Sequence, residues 1–391
     1  MDWSFLTKNR DSIHVTTDSR KVTSGSIFVA LKGEHFDGND FVDQARKDGA
    51  AYVICGENAL RDLQDLARAW RRELKTPILG ITGTNGKTTT KELCAAVLST
   101  KYNIYYTQGN LNNQIGVPLT LLSITRAHEM AIVEMGASHP GDIKELVEIA
   151  EPDFGLITNV GRAHLQGFGS FEGVMRTKAE LYDWLVQHNG IIFRNADNPH
   201  LEEMYTSALG SLGFLGSLVS YHTGTMPEGT HLVGAYNAEN VSAALCVGHY
   251  FGVDYETGMK AIRAYVPSNN RSQLLKTERN TVVVDAYNAN PTSMTAAINA
   301  FKGNCYILGA MRELGDYSHL EHQNIVNMLL ERKADKVLLV GEEYKATTAP
   351  YPIFDNVDAL CEALKAEPLM GYTVLLKGSR SNQLEKAIPF L

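Results

Sequence analysis

The junction near residue 80 restricts this chain more than any other stretch. The apolar run Ile78 to Thr82 passes through Gly83 and Gly86 directly into a helix-like segment that opens at Lys87. A short apolar run bounded by glycine reads as a buried strand, and a strand that gives way at once to a helix returns to its sheet as a parallel neighbour. The chain must therefore be α/β at this point.

The same residues define a chemistry. Along Gly80-Ile81-Thr82-Gly83-Thr84-Asn85-Gly86-Lys87-Thr88-Thr89-Thr90, glycines let successive backbone N–H groups turn toward one anion, and the helix N-terminus adds partial positive charge. Lys87 can neutralise phosphate, and Thr88 can offer an oxygen to Mg²⁺. The position five before Gly86 is Ile81, so the loop is a shortened Gly-x-x-Gly-Lys-Thr. A glycine turn can simply cap a helix. Strand, Gly-Lys-Thr and helix in succession favour phosphate binding.

Hydrophobic rhythm extends this unit into three. At 391 residues the chain exceeds the roughly 250–300 residues at which one core stops growing. Joints at Thr76-Pro77 and Pro267-Ser268-Asn269-Asn270 divide it into blocks 1–76, 77–266 and 267–391. The first block predicts strands over Ser26 to Leu31 and Ala51 to Cys55, with a helix over Phe41 to Asp48. The second predicts strands over Ile78 to Thr82, Ala131 to Met135, Gly155 to Asn159 and Gly190 to Phe193. Its helices are expected over Lys87 to Thr100, Gly141 to Ala150 and Phe171 to Gln187. The third predicts strands over Thr281 to Asp285, Cys305 to Leu308, Lys336 to Val340 and Thr373 to Leu376. Strands alternating with helices imply largely parallel sheets. The expected architecture is a small N-terminal α/β domain, a central phosphate-loop domain and a Rossmann-like third domain.

A net charge of -8 argues against a sequence-independent grip on nucleic acid, which needs a basic face. Five widely spaced cysteines with no C-x-x-C pair fit a reducing cytoplasm. Met1 to Ser12 carries Asp2, Lys8, Arg10 and Asp11 without an apolar core, and no run approaches the ~20 apolar residues of a membrane span. The expectation is a cytoplasmic chain without membrane insertion.

Two further side chains fit a cation beside the loop. Glu134 closes the apolar strand before Gly136, at the carboxyl edge of a parallel sheet where ligands collect; alone, such a carboxylate is more often just solvated. His164 follows the next strand and can reach the same edge, although a hard cation prefers oxygen. Lys178, in Arg176-Thr177-Lys178-Ala179-Glu180, reads from composition as part of a solvated helix face.

The shortened loop resembles the ATP loop of the Mur ligases and folylpolyglutamate synthases, and further elements along nearly the whole chain resemble the Mur ligase family. In the first block these are Thr17-Asp18-Ser19-Arg20-Lys21-Val22, Gly25 to Glu34 and Asp37-Gly38. The resemblance implies a UDP-sugar-binding domain there, with Ser19, Arg20 and Lys32 as substrate contacts. Gly109-Asn110-Leu111-Asn112-Asn113-Gln114-Ile115-Gly116 and Asp285-Ala286-Tyr287-Asn288-Ala289-Asn290-Pro291 are similar to the branch that adds D-alanyl-D-alanine. Asn110, Asn112, Asn113, Tyr287 and Asn288 are the implied substrate contacts. Glu134 to Ser138, Ala163 to Ser170, Leu308 to Gly315 and Lys377 to Ser381 continue the match.

The resemblance also implies the ATP site. It comprises Gly83, Thr84, Asn85, Gly86, Lys87, Thr88 and Thr89, with Asn237 and Asn240 toward adenine, and Arg271 and Asp285 from the third domain. It makes Lys87, Glu134, His164, Lys178 and Arg271 catalytic, and Thr88, Glu134, His164 and Lys178 the Mg²⁺ ligands, Lys178 after carbamylation. Departures are Tyr236 where His is common, Asn270 in place of a glycine, Ala286 in place of Ser, and a brief Asn198 to Thr230 without room for an accessory hairpin. The implied reaction is ATP-driven joining of D-alanyl-D-alanine to UDP-N-acetylmuramoyl-tripeptide by a monomer. A diamino-acid-adding Mur ligase or a folylpolyglutamate synthase would share the ATP apparatus, and a nucleotide-dependent switch would bind ATP without making an amide.

Overall fold

The computed structural model describes residues 14–210, 215–267 and 271–391. The expectation for Met1 to Ser12 and the Ser268 to Asn270 part of the second joint lie outside the described residues. Three sheets carry the chain. The first is a small parallel one of β1 (Val15–Thr16), β2 (Ile27–Val29) and β3 (Tyr52–Ile54). Its helix, Val42–Lys47, is shorter than expected.

Helix Ala59–Glu73 was not anticipated from the sequence, and it joins the first sheet to the rest. Leu63, Leu66, Ala67 and Trp70 recur at helical spacing and are buried. The Trp70 indole donates to the Ile124 carbonyl at 2.9 Å. The Arg71 guanidinium donates to Ala150 O at 2.8 Å, to Glu151 O at 2.7 Å and to Asp153 Oδ2 at 2.8 Å. The helix thus lies on the central unit, against helices Gly116–Ser123 and Asp142–Ala150.

The central sheet is six-stranded and wholly parallel: β4 (Ile78–Thr82), β5 (Ile104–Tyr106), β6 (Met130–Glu134), β7 (Phe154–Ile157), β8 (Ile191–Asn195) and β9 (Ser217–Tyr221), in the order β5-β6-β4-β7-β8-β9. All five residues of β4 are buried. Ile78, Ala131 and Val133 join one core, while Leu79, Ile81 and Ile132 join the core on the opposite face. A strand covered on both faces by helices reads as a continuous apolar run, which is why β4 and β6 were legible. Strands β5 and β9 at the edges carry no such run and were not read. After Asn198 the chain forms helix Pro199–Leu209 and then β9, parallel to β8, with no hairpin among the described residues of 198–230.

The third sheet has the order β10-β11-β15-β12-β13-β14. It is built from β10 (Gln273–Lys276), β11 (Thr281–Asp285), β12 (Cys305–Gly309), β13 (Lys336–Val340), β14 (Ile353–Phe354) and β15 (Thr373–Lys377). Only β10 runs antiparallel. Among the described residues no helix is long and apolar enough to cross a membrane.

Candidate active site

The central position of β4, with later strands on both sides, opens a crevice at the carboxyl edge of the sheet. Residues 83–86 leave β4 there and are fastened by the segment after β7. Thr84 N donates to Asn159 O at 2.9 Å, Asn85 N to Asn159 Oδ1 at 3.0 Å, and Thr158 Oγ1 to Asn85 O at 2.6 Å. Gly83 has φ +140, and a Cβ there would lie 2.0 Å from Thr158 Oγ1, so only glycine fits. Gly86, at φ +79, starts helix Lys87–Leu98. The free amides of that first turn point out of the loop.

Lys87 folds back on this loop, its ammonium donating to Gly83 O at 2.8 Å and Thr84 O at 3.1 Å. Burial pushes its pKa down to about 8, with Arg271 adding to the effect and Glu134 opposing it. Thr88 Oγ1 lies 3.2 Å from Glu134 Oε1, which also accepts from Asn112 Nδ2 at 2.8 Å. Glu134 is 1% exposed, so the solvated-carboxylate reading is excluded. One carboxylate beside one hydroxyl suits Mg²⁺, which takes few protein oxygens and completes its shell with phosphates and water. Among the described residues no three His, Cys, Asp or Glu side chains cluster to hold a metal unaided.

Lys178 corrects the surface expectation: it is 2% exposed, because helix Phe171–Gln187 is packed on both its flanks. Its amine sits 5.6 Å from the centre of the Phe168 ring. Burial drives its pKa well below the ordinary lysine value, Lys87 adds to this, and Asp142 and Glu180 oppose it. An ammonium would repel a nearby cation, whereas a neutral amine can take up CO₂ and become an oxygen ligand. His164 adopts φ +51 and presents Nδ1 to the Glu313 carboxylate of the third unit. That contact leaves Nε2 as the nitrogen available to a metal, in the carboxylate–histidine arrangement that orients a ligating ring.

The third unit closes over the loop. Asn290 caps helix Pro291–Ala300 and its Nδ2 donates to Asn85 Oδ1 at 2.8 Å. Thr292 Oγ1 accepts from Arg162 N at 2.9 Å, and Arg162 Nη1 reaches the buried Glu321 at 3.1 Å. The Arg271 guanidinium stacks 3.7 Å from the centre of the Tyr287 ring, and its buried Nε has no hydrogen-bond partner. Asp285 pairs with the buried Lys377 at 2.6 Å, and Lys377 also donates to Asn288 O at 3.2 Å.

One cleft of about 890 Å³ gathers most of the residues singled out from the sequence. Thr84 to Thr89, Asn110, Asn112, Asn113, Glu134, His164, Asn237, Asn240, Arg271, Asp285, Tyr287 and Asn288 line it. Gly83 and Lys178 lie behind its wall. Ser19, Arg20 and Lys32 do not line the cleft; Ser19 and Arg20 lie in the short 3-10 helix Ser19–Lys21 and Lys32 in a bridge to Asp37, where Arg20 and Lys32 pair with Asp18 and Asp37. Asn237 and Asn240, expected toward adenine, line the cleft and also bond to protein groups. Asn240 Oδ1 accepts from Thr90 Oγ1 at 2.9 Å and its Nδ2 donates to Asn237 Oδ1 at 2.9 Å, while Asn237 Nδ2 donates to Val233 O at 2.8 Å. In this arrangement the pair braces the loop helix.

Family models match in three consecutive parts: the Mur ligase family catalytic domain over residues 13–92, the Mur ligase middle domain over 81–214, and the Mur ligase glutamate ligase domain over 270–380. The UDP-N-acetylmuramoyl-tripeptide--D-alanyl-D-alanine ligase of Bacillus subtilis (strain 168) is 34% identical, the match covering 96% of this chain and 92% of that protein. The chain belongs to the Mur ligase family.

The Escherichia coli (strain K12) ligase of the same name is likewise 34% identical, with 96% and 92% coverage. Among solved structures, this Mur ligase is similar to MurF from Acinetobacter baumannii, at TM-score 0.84, 29% identity and 96% and 92% coverage. It is equally similar to the MurF ligase of Thermotoga maritima in complex with ADP, at TM-score 0.84, 27% identity and 98% and 97% coverage. Sequence reasoning left three residues of this Mur ligase without a role: Glu313 and Lys377, which line the cleft, and Lys91, buried one helical turn after Lys87. Glu313 and Lys377 stood in recognised motifs, but their partners come from distant parts of the chain.

Proposed function

We propose that this chain joins D-alanyl-D-alanine to the free carboxylate of UDP-N-acetylmuramoyl-tripeptide, with ATP converted to ADP and phosphate. One observation carries the reading: ligases of that name match nearly the entire chain at 34% identity, while the phosphate loop, Glu134 and Arg271 line a single cleft. Residues 1–76 hold the UDP-sugar, with Ser19, Arg20 and Lys32 toward its diphosphate. Residues 77–266 hold ATP, and residues 267–391 complete the nucleotide site and admit the dipeptide. The enzyme works as a monomer in the cytoplasm, consistent with five unpaired cysteines.

The barrier is one of charge and alignment. A carboxylate oxygen must attack the γ-phosphorus of a polyanion as ADP departs. Lys87 of the central unit and Arg271 of the third both lower that repulsion, and the loop amides fix the phosphates. Thr88 and Glu134 would hold one Mg²⁺, and His164 with a carbamylated Lys178 another, which would supply further neutralisation of the phosphate oxygens. The dipeptide amine, after losing a proton, then attacks the acyl carbon and phosphate leaves. Asn110, Asn112, Asn113, Tyr287 and Asn288 orient the two acceptor groups. Because Arg271 and Asp285 come from the third unit, the site is complete only when that unit is closed on the loop.

The deciding experiment measures phosphate release with UDP-N-acetylmuramoyl-tripeptide against D-alanyl-D-alanine, diaminopimelate, lysine and glutamate. Stimulation by D-alanyl-D-alanine alone is expected. Stimulation by glutamate alone would replace the substrate assignment, and ATP binding without amine-dependent ADP release would indicate a switch. For Lys178, loss of activity in Lys178→Ala should be partly restored by a short carboxylic acid. No rescue, together with unchanged Mg²⁺ dependence, rules out the carbamate.

A further inference from the structure

We infer that Lys91 is a positioning residue whose fixed charge offsets Glu134, so that Thr88 and Glu134 accept a divalent cation only together with the phosphates of a nucleotide. The inference rests on reading the cleft as a nucleotide and cation site, and it goes beyond that reading by assigning an order of loading and the residue responsible.

The geometry is a clamp built on Thr107. The Lys91 ammonium, on a side chain 1% exposed, donates to Thr107 O at 2.7 Å. The Thr107 hydroxyl accepts from Glu134 N at 3.0 Å. Cation and carboxylate are therefore referenced to the same buried residue and cannot drift apart independently. Within the clamp the two oxygens of Glu134 face different ways. Oε1 meets Thr88 and Asn112 at the cleft. Oε2 is buried, has no hydrogen-bond partner, and lies 3.7 Å from Lys91 Nζ.

At that separation, away from solvent, the attraction is little screened. The carboxylate that a free cation would seek is already matched by an ammonium. Glu92, the other acid near Lys91 at 3.9 Å, is engaged by the Tyr265 hydroxyl. Lys87 and Arg271 add two more positive groups at the same edge. A bare divalent ion arriving at Oε1 meets a carboxylate that Lys91 already faces, with Lys87 and Arg271 also nearby and Glu92 beside Lys91. ATP brings the negative charge that reverses this balance. The cation then sits where it is useful, between protein and phosphates, and the empty enzyme does not trap it in an unproductive pose.

The test titrates Mn²⁺ alone, read by electron paramagnetic resonance of the free ion, into wild type, Lys91→Met, Lys91→Gln, Lys91→Arg and the double variant Lys91→Met/Glu134→Gln, without nucleotide and then with ADP. Wild type and Lys91→Arg should bind Mn²⁺ weakly until ADP is added. Lys91→Met or Lys91→Gln should bind it without nucleotide at least about tenfold more tightly, and the double variant should lose that gain. Gln keeps a neutral N–H donor near Thr107 O and serves as the second variant if Met disturbs folding. Tight binding of Mn²⁺ by nucleotide-free wild type overturns the inference without reference to any variant. So does an unchanged Mn²⁺ affinity in folded Lys91→Gln, or a gain that survives Glu134→Gln. Wild-type ADP binding and amine-dependent phosphate release, measured in parallel, test the underlying reading separately.

Discussion

Adding one methyl group at Gly86 probes how stiffly the phosphate loop is held. Gly86 has φ +79 and ψ -6, and a Cβ there would stand 2.4 Å from Asn240 Oδ1. The left-handed backbone by itself costs an alanine roughly 1–2 kcal/mol. Asn240 cannot retreat freely: it is buried, accepts from Thr90 at 2.9 Å and donates to Asn237 at 2.9 Å. Displacing it gives up one or both hydrogen bonds at about 1 kcal/mol each. Gly86→Ala should therefore destabilise the central unit by about 2–4 kcal/mol. Gly141 is a matched control, because it starts helix Asp142–Ala150 at φ +86 and ψ -10 with nothing within 4 Å of a Cβ. Gly141→Ala should show the backbone cost alone, roughly 1–2 kcal/mol. Thermal melts of the two variants should differ by several degrees, at roughly 2–4 °C per kcal/mol for a unit of this size, and only Gly86→Ala should weaken ADP binding. If the two variants melt within about a degree of each other and both bind ADP like wild type, Asn240 is not the rigid brace the structure describes.

Two other substitutions test the joints between units. Arg71→Met removes a guanidinium bonded to Ala150 O, Glu151 O and Asp153 and leaves buried carbonyls unmatched; urea melts should show a loss of about 2–4 kcal/mol, and a loss below about 0.5 kcal/mol would mean that helix Ala59–Glu73 is not pinned through Arg71. Arg162→Ala strips the buried Glu321 of its partner and should favour the open form; KM for ATP should rise by roughly three- to tenfold, since a weakened closed state binds in proportion to its population, and an unchanged KM would show that this pair does not hold the units together.

What the sequence determined by itself was local and periodic. The run Ile78–Thr82 followed by glycines and Gly86-Lys87-Thr88 specified a buried strand, a phosphate-shaped turn and a helix, because each depends on neighbours a few residues away. β11 and β13 were readable on the same ground, being apolar on both faces of a covered sheet. Helix Ala59–Glu73 was present in the pattern of Leu63, Leu66 and Trp70 but was missed among its many charged residues.

Burial of charge and pairing at a distance were decided only by the tertiary structure. Lys178 and Lys91 look like ordinary helix lysines in sequence; they become buried because they fall on the faces of their helices that pack against the rest of the central unit. His164 meets Glu313 across 149 positions of chain, and Asn85 meets Asn290 across 205. No local preference encodes such contacts, since they exist only after three sheets have been stacked and the last has been folded against the loop. The reactive groups come from sequence, while their charge environment comes from the packing of whole units around them.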